Sequence, residues 1–288
     1  MPGHGYVDPN WPNPGGPNDV PVIIYGYTPS FALAVLADVI FFIFFIIHLW
    51  QVARYRSWYF VTFPIGLVLE VVGYVARTLS ARADPYHLIF FVLQYFFIVT
   101  APVLFSAALY AVLSGLIRRL GRAHAVLPPR AILRIFIASD VVATATQITG
   151  AALIGVRQGN REDPTIGSDI LLAGLAFQVF AMGIFVILTT AFLARAGPAA
   201  IKKSGLAAFV AAFSAATLLV YLRTCFRLAE TVEGLDGNLS SHELYFGVLE
   251  FAPVVVAVTL MTVWHPGRCV GNRISGTKSE ETERGPSE

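Results

Sequence analysis

FALAVLADVIFFIFFIIHLWQ, residues Phe31–Gln51, decides the fold. Its one acid is Asp38, and no Lys or Arg interrupts it. At 1.5 Å per residue a helix of this length reaches roughly 30 Å, the thickness of a bilayer's hydrocarbon core. It keeps no polar face for water, so it reads as a membrane-spanning helix. Six more such stretches follow outward from it. They lie near Trp58–Leu79, Tyr86–Ser114, Ala131–Val156, Ile170–Leu193, Leu206–Ala229 and Glu243–Trp264. The expected fold is therefore all-α, a polytopic membrane protein of seven transmembrane helices.

Composition agrees. Of 288 residues, 56% are hydrophobic and 13% charged, and mean hydropathy is +0.67. A soluble domain carries about 25% charge, so there is too little here to cover a wet surface. Disorder, collagen and a disulfide-stapled module are excluded. Cys225 and Cys269, in an apolar run and a basic tail, are not expected to be bridged. Cys269 beside Arg268 is a candidate lipidation position.

Three segments follow. Residues 1–28 hold Pro2, Pro9, Pro12, Pro14, Pro17 and Pro21 and read as a disordered or polyproline-like external tail. They lack a basic stretch leading into an apolar core, so they are no signal peptide. Residues 29–266 form the transmembrane domain. Residues 267–288, with Lys278, Glu280, Glu281, Glu283 and Arg284, read as a disordered cytoplasmic tail.

Lys and Arg collect in cytoplasmic loops. One alternate set of segments holds thirteen: Arg54, Arg56, Arg118, Arg119, Arg122, Arg130, Arg195, Lys202, Lys203, Arg268, Arg273, Lys278 and Arg284. The other set holds three: Arg82, Arg157 and Arg161. The N-terminus is expected outside and the C-terminus in the cytoplasm. The sequon Asn238-Leu-Ser240 then falls in an external loop, as a candidate glycosylation site.

Charges inside spans cost about 2.5–3.5 kcal/mol each on insertion scales, so they face partners or a wet cavity. Counting residues from the helix ends puts Asp38, Glu70, Glu230, Glu243 and Glu250 in the external half. Arg77, Arg223 and Arg227 share that half. Arg223, Arg227 and Glu230 recur at spacings of four and three, along one side of helix six. Glu243 and Glu250, seven apart, share a face of helix seven. Gln94 on helix three and Gln147 on helix four add hydrogen-bonding groups, and Asp140 lies in the cytoplasmic half. One reading is a polar chamber, open outward, that holds an amphipathic solute's head group. Glu70 and Arg77, seven apart, would pair or gate it. The other reading is a buried ion-pair network that only fixes helix packing. Pro64, Pro102 and Pro253 fall inside spans as kinks or hinges. Ala208, Ala212 and Ala216 form a small-residue stripe for close packing.

Several chemistries find no support. There is no P-loop. Lys202, Lys203 and Lys278 all lie outside the spans, so no retinal Schiff base can form. No G-x-S-x-G elbow occurs. His48, His87, His242 and His265 sit at different helix ends, and only His87, His242 and Glu243 could meet in a zinc hydrolase site. No cofactor is expected.

Specific strings carry a resemblance. They are Tyr27-Thr-Pro-Ser30, Glu70-Val-Val-Gly-Tyr-Val-Ala-Arg77, Leu93-Gln94, Ala101-Pro102 and Ala107-Ala-Leu-Tyr110. Asp140-Val-Val, Gln147, Gly150 and Gly174-Leu-Ala-Phe-Gln178 follow in the middle of the chain. Arg223-Thr-Cys-Phe-Arg227-Leu-Ala-Glu230, Gly234, His242-Glu243 and His265-Pro-Gly267 complete the series. In order and spacing, from about residue 22 to 268, the chain resembles the fungal lipid-translocating exporter family of RTA-like proteins. The resemblance implies seven helices with the same topology. It implies movement of sphingoid long-chain bases or resistance to toxic amphiphiles, aminosterols among them; one member is linked to porphyrins. The chain departs from the pattern in lacking an early Asn in helix one, and in carrying Glu250 where the family shows Asp. The implied partners are the lipid bilayer and an amphipathic lipid substrate, at the plasma membrane. A seven-helix receptor sensing lipid or stress, and a membrane-embedded lipid hydrolase, are the rival readings.

Overall fold

A computed structural model describes residues 6–8, 10, 19–20, 23, 25–159, 162–234 and 237–270. Seven helices are long and apolar enough to cross a membrane. We label them α1 (Phe31–Tyr55), α2 (Thr62–Arg82), α3 (Leu88–Leu120), α4 (Pro129–Gly159), α5 (Thr165–Ala196) and α6 (Ala207–Glu233). The seventh, α7, is continuous but not uniform. It runs through Glu243–Tyr245, a π-helical turn at Phe246–Phe251, and Ala252–Val263. Pro253 explains the turn: it lacks an N–H and its ring crowds the carbonyl four residues back.

Consecutive helices pack side by side, and α1 also touches α7, which closes the ring. α3 lies inside it, against α2, α4, α5 and α6. Small residues set the closest approaches. A side chain at Gly73 of α2 would strike Ile98 Cγ1 of α3 at 2.5 Å. Gly150 of α4 and Gly167 of α5 meet backbone to backbone. Without a hydrophobic drive between helices in lipid, such contact is what holds them. The outward faces are apolar: Leu36, Val39, Phe42, Ile43, Ile46 and Trp50 of α1 are all exposed. Lipid, not water, suits that surface.

The helices outrun the apolar stretches by up to two turns, because polar flanks continue the same backbone hydrogen bonding. Pro64 lies in the first turn of α2 rather than mid-span, so no kink arises there. Pro102 does stand inside α3. Of the alanine stripe, Ala212 and Ala216 are buried but Ala208 is exposed, so the stripe packs over two positions only. Cys225 and Cys269 are both free.

The unstructured tail expected over residues 1–28 is corrected for its described part. Asp8 and Ile23 are buried. Tyr6 pairs with Ile23, and Asp19 with His87, as isolated bridges. Asp8 takes hydrogen bonds from Thr28 Oγ1 (2.5 Å) and Asn10 N (2.8 Å), and its own N–H donates to the Tyr86 hydroxyl. These contacts lay residues 6–8, Asp19, Val20 and Ile23 against the place where α2 ends and α3 begins. The C-terminal boundary also moves: Pro266–Cys269 is a helical turn, packed under α1. Residues 271–288, with Arg273, Lys278 and Arg284, lie outside the described residues, as do Arg161 and Asp236.

Candidate substrate site

α2, α3, α6 and the π-turn of α7 bring five charged side chains together. Glu250 is the hub. One of its oxygens, Oε1, accepts from Arg223 Nη2 and lies 3.3 Å from Arg227 Nε. Arg227 turns its other arm to Glu230 Oε2 at 2.5 Å, one helical turn along α6. Arg223 also donates to the Ile98 carbonyl of α3 at 2.5 Å. The side chain and amide nitrogen of the same Ile98 lie against Gly73, so the small residue on α2 lets α3 come close while α6 reaches across. The face of Tyr95 covers the Arg227 guanidinium at 5.1 Å.

Glu70 completes the group. It is only 1% exposed and lies within electrostatic reach of Arg223, Arg227 and Glu250. Yet it makes no direct ion pair among the described residues, and its Oε1 accepts no hydrogen bond. Three carboxylates (Glu70, Glu230, Glu250) thus face two guanidinium groups.

Arg77 does not pair with Glu70, which corrects the expected gate. It points the other way, to Glu243 Oε1 at 2.7 Å and the Tyr27 hydroxyl at 3.0 Å. Its guanidinium sits 4.2 Å over the Phe246 ring. Glu243 also takes the Ser30 N–H at 2.9 Å, which ties the start of α1 to the start of α7. Burial pushes the Tyr25 phenol up to about 12 and the Tyr27 phenol up as well, so both stay neutral above Arg77. The expected outward-open chamber is not open in this structure: Arg77, Glu70 and Glu250 are all buried, and Tyr25 and Tyr27 cover Arg77.

Other expected members stand elsewhere. Asp38 is half-buried and takes a hydrogen bond from Thr78 Oγ1 at 3.0 Å, between α1 and α2. Gln147 donates to Gln178 at 2.8 Å and clamps α4 to α5 beside Gly174. Gln94 is buried one turn before Ile98, with Oε1 unpartnered. Asp140 is buried on α4 beside the Tyr110 hydroxyl of α3. Asn238 is exposed between α6 and α7. The proposed external metal group fares poorly: Glu243 is engaged by Arg77 and Ser30, His87 stacks on Phe90, and His242 contacts the Asn238 carbonyl. Among the described residues no group of three or more His, Cys, Asp or Glu could hold a metal ion.

Sequence reasoning missed Tyr95, Tyr25, Phe246 and the Ile98 carbonyl. Aromatics are so frequent in this chain that nothing marked these. The π-turn had a readable signal in Pro253, three residues after Glu250.

Comparison with known proteins gives the family. Residues 63–273 match the family described as RTA1 like protein. The chain belongs to this RTA1-like family. Among its relatives is the sphingoid long-chain base transporter RSB1 of Saccharomyces cerevisiae, 30% identical over 84% of this chain and 73% of the relative. Protein RTM1 of the same yeast is 29% identical over 71% and 66%. Protoporphyrin uptake protein 1 is 26% identical over 77% and 73%. No solved structure matches. The five-residue charged group and the Arg77–Glu243 pair of this RTA1-like chain both fall wholly within the matched region.

Proposed function

We propose that this chain translocates amphipathic lipids bearing an amine head group, of the sphingoid-base kind, and does so without catalysing a reaction. The observation that carries the reading is Glu70. A carboxylate buried at mid-span with an unpartnered oxygen is costly unless something binds it. The local excess of acid over base makes that something a cation. Glu70 would take the ammonium, while Glu250 stays held by two arginines and Tyr95 offers an aromatic wall. The transporter name of a relative at 30% identity supports the substrate class.

The basic residues crowd the face opposite the N-terminus, which supports an external N-terminus, a cytoplasmic C-terminus and glycosylation at Asn238. We place the protein in the plasma membrane. Arg77 and its cover of Tyr25 and Tyr27 would have to part from Glu243 to admit a head group from outside.

The test is a reconstitution. Purified protein in liposomes is given a fluorescent long-chain base, and its passage between leaflets is followed. Protein-dependent flux that falls sharply in Glu70→Gln supports the reading. A folded wild-type protein that gives no flux sinks it and favours the receptor. Flux that persists in Glu70→Gln removes Glu70 from the site.

A further inference from the structure

Asp140 belongs to none of the contacts described for the charged group. It sits on α4, eleven residues from Pro129, or about 16 Å from the end of the helix nearer the C-terminal face. The Tyr110 hydroxyl of α3 stands by its carboxyl, with Ser106 also near, and donates to the Met182 sulfur at 3.7 Å. Phe136 and Phe185 wall the place, their rings 5.4 Å and 4.5 Å from Tyr110. Asp140 is 3% exposed, and its Oδ2 accepts no hydrogen bond. Among the described residues no Lys or Arg forms an ion pair with it.

The contrast with Glu250 is informative. Glu250 is held by two arginines and belongs to the architecture. Asp140, like Glu70, has an oxygen to spare and no direct cation partner. Tyr110 stands at the carboxyl, and Oδ2 is left without a partner. α3 links the two levels: Ile98, which holds Arg223, and Tyr110 lie twelve residues apart on it, about 18 Å along the helix axis.

We propose that Asp140, oriented by Tyr110, is a second binding station for the ammonium of the lipid, on the C-terminal side of the Glu70 station. This rests on the function proposed above. A head group crossing the bilayer would exchange Glu70 for Asp140, its cation balanced at each stop by an otherwise unpaired carboxylate. The lipid's hydrocarbon tail could stay among the exposed apolar side chains of α4, such as Val141 and Val142. No bond forms or breaks. Tyr110 acts as a positioning residue.

The test uses the full-length protein in liposomes with two probes, a fluorescent long-chain amine and the matching long-chain alcohol. Equilibrium binding of the amine is measured alongside, from the N-terminal face. Asp140→Asn keeps shape and polarity but cannot be charged. The expected result is an amine flux lower by about tenfold or more, the loss of one charge-assisted bond, with binding from the N-terminal face nearly unchanged. Asp140→Glu should recover part of the flux. Tyr110→Phe should fall between wild type and Asp140→Asn. Alcohol flux should not change in any of them. Normal amine flux in Asp140→Asn overturns the second station and leaves the Glu70 reading standing. Equal loss of amine and alcohol flux also overturns it, since that marks a purely structural role. Absence of amine flux in the wild type overturns both.

Discussion

The two ends of α7 pack against the rest of the bundle in opposite ways. At one end Glu250 gathers Arg223 and Arg227, and charge is answered by charge. At the other, His265 and His48 lie fully buried in an aromatic knot, with Phe60, Phe63 and Tyr55 around them. No carboxylate pairs with either ring among the described residues, and each ring is held by one hydrogen bond. The Thr262 hydroxyl already donates to the Val258 carbonyl, so its contact with His48 Nε2 at 2.9 Å takes its proton from the imidazole. His265 Nδ1 accepts the Gly267 N–H at 3.1 Å, which puts the ring's proton on Nε2. Both rings are Nε2–H tautomers. The lesson is that lipid-buried polar groups can be satisfied by compensation or by neutrality. The compensated end keeps one carboxylate, Glu70, over and above what its arginines hold, and that surplus is where a cation can act.

Breaking the compensated end should cost most. Glu250→Ala leaves Arg223 buried without a carboxylate and should destabilise the fold by about 3–5 kcal/mol, read as a large fall in Tm in detergent. At the neutral end, His265→Ala should cost about 2 kcal/mol through the lost cap and packing. His265→Asn, which can still cap Gly267, should recover part of that Tm. Glu70→Gln sharpens the contrast from the other side. It removes a costly buried charge and opens no cavity, so its Tm in detergent should match or exceed that of wild type, while flux of a long-chain base falls. A Glu70→Gln protein as unstable as Glu250→Ala would make Glu70 part of the architecture.

The smallest effect is expected in the cover over Arg77. The Thr28 hydroxyl, and after it the Asn10 N–H, hold the Asp8 carboxyl below its ordinary value of 3.8. A lowered acid stabilises the packed segment at pH above that value, and the contribution fades as pH falls through the folded one. Limited proteolysis of the N-terminal segment should therefore be slow at neutral pH and quicken below about pH 3.8. In Asp8→Asn the rate should no longer depend on pH over that range.

Legibility in the sequence followed dimension. Depth in the membrane is a count along the chain, and it put Glu70, Arg223, Arg227, Glu230 and Glu250 at compatible levels. Direction around the helix axis is not a count. Asp38 had a suitable depth but turned to Thr78, Gln147 turned to Gln178, and Arg77 turned away from Glu70 to Glu243. Each choice depended on which neighbour packed where, and so on glycine contacts such as Gly73 against Ile98. The N-terminal segment was misread for a related reason. Proline and glycine weaken local structure, but Ile23, Tyr25 and Asp8 gain their order from α2 and α3, which lie far along the chain.

The sequence by itself determined that seven apolar helices cross a bilayer, because burying that much apolar surface leaves a polypeptide no other solvent. It also assigned the family. Only the tertiary structure decided which charges are spent on one another and which are spare. Ion pairing acts over a few ångströms between different helices, and only the packed bundle brings Glu250 to two arginines while leaving Glu70 and Asp140 each with an oxygen unclaimed.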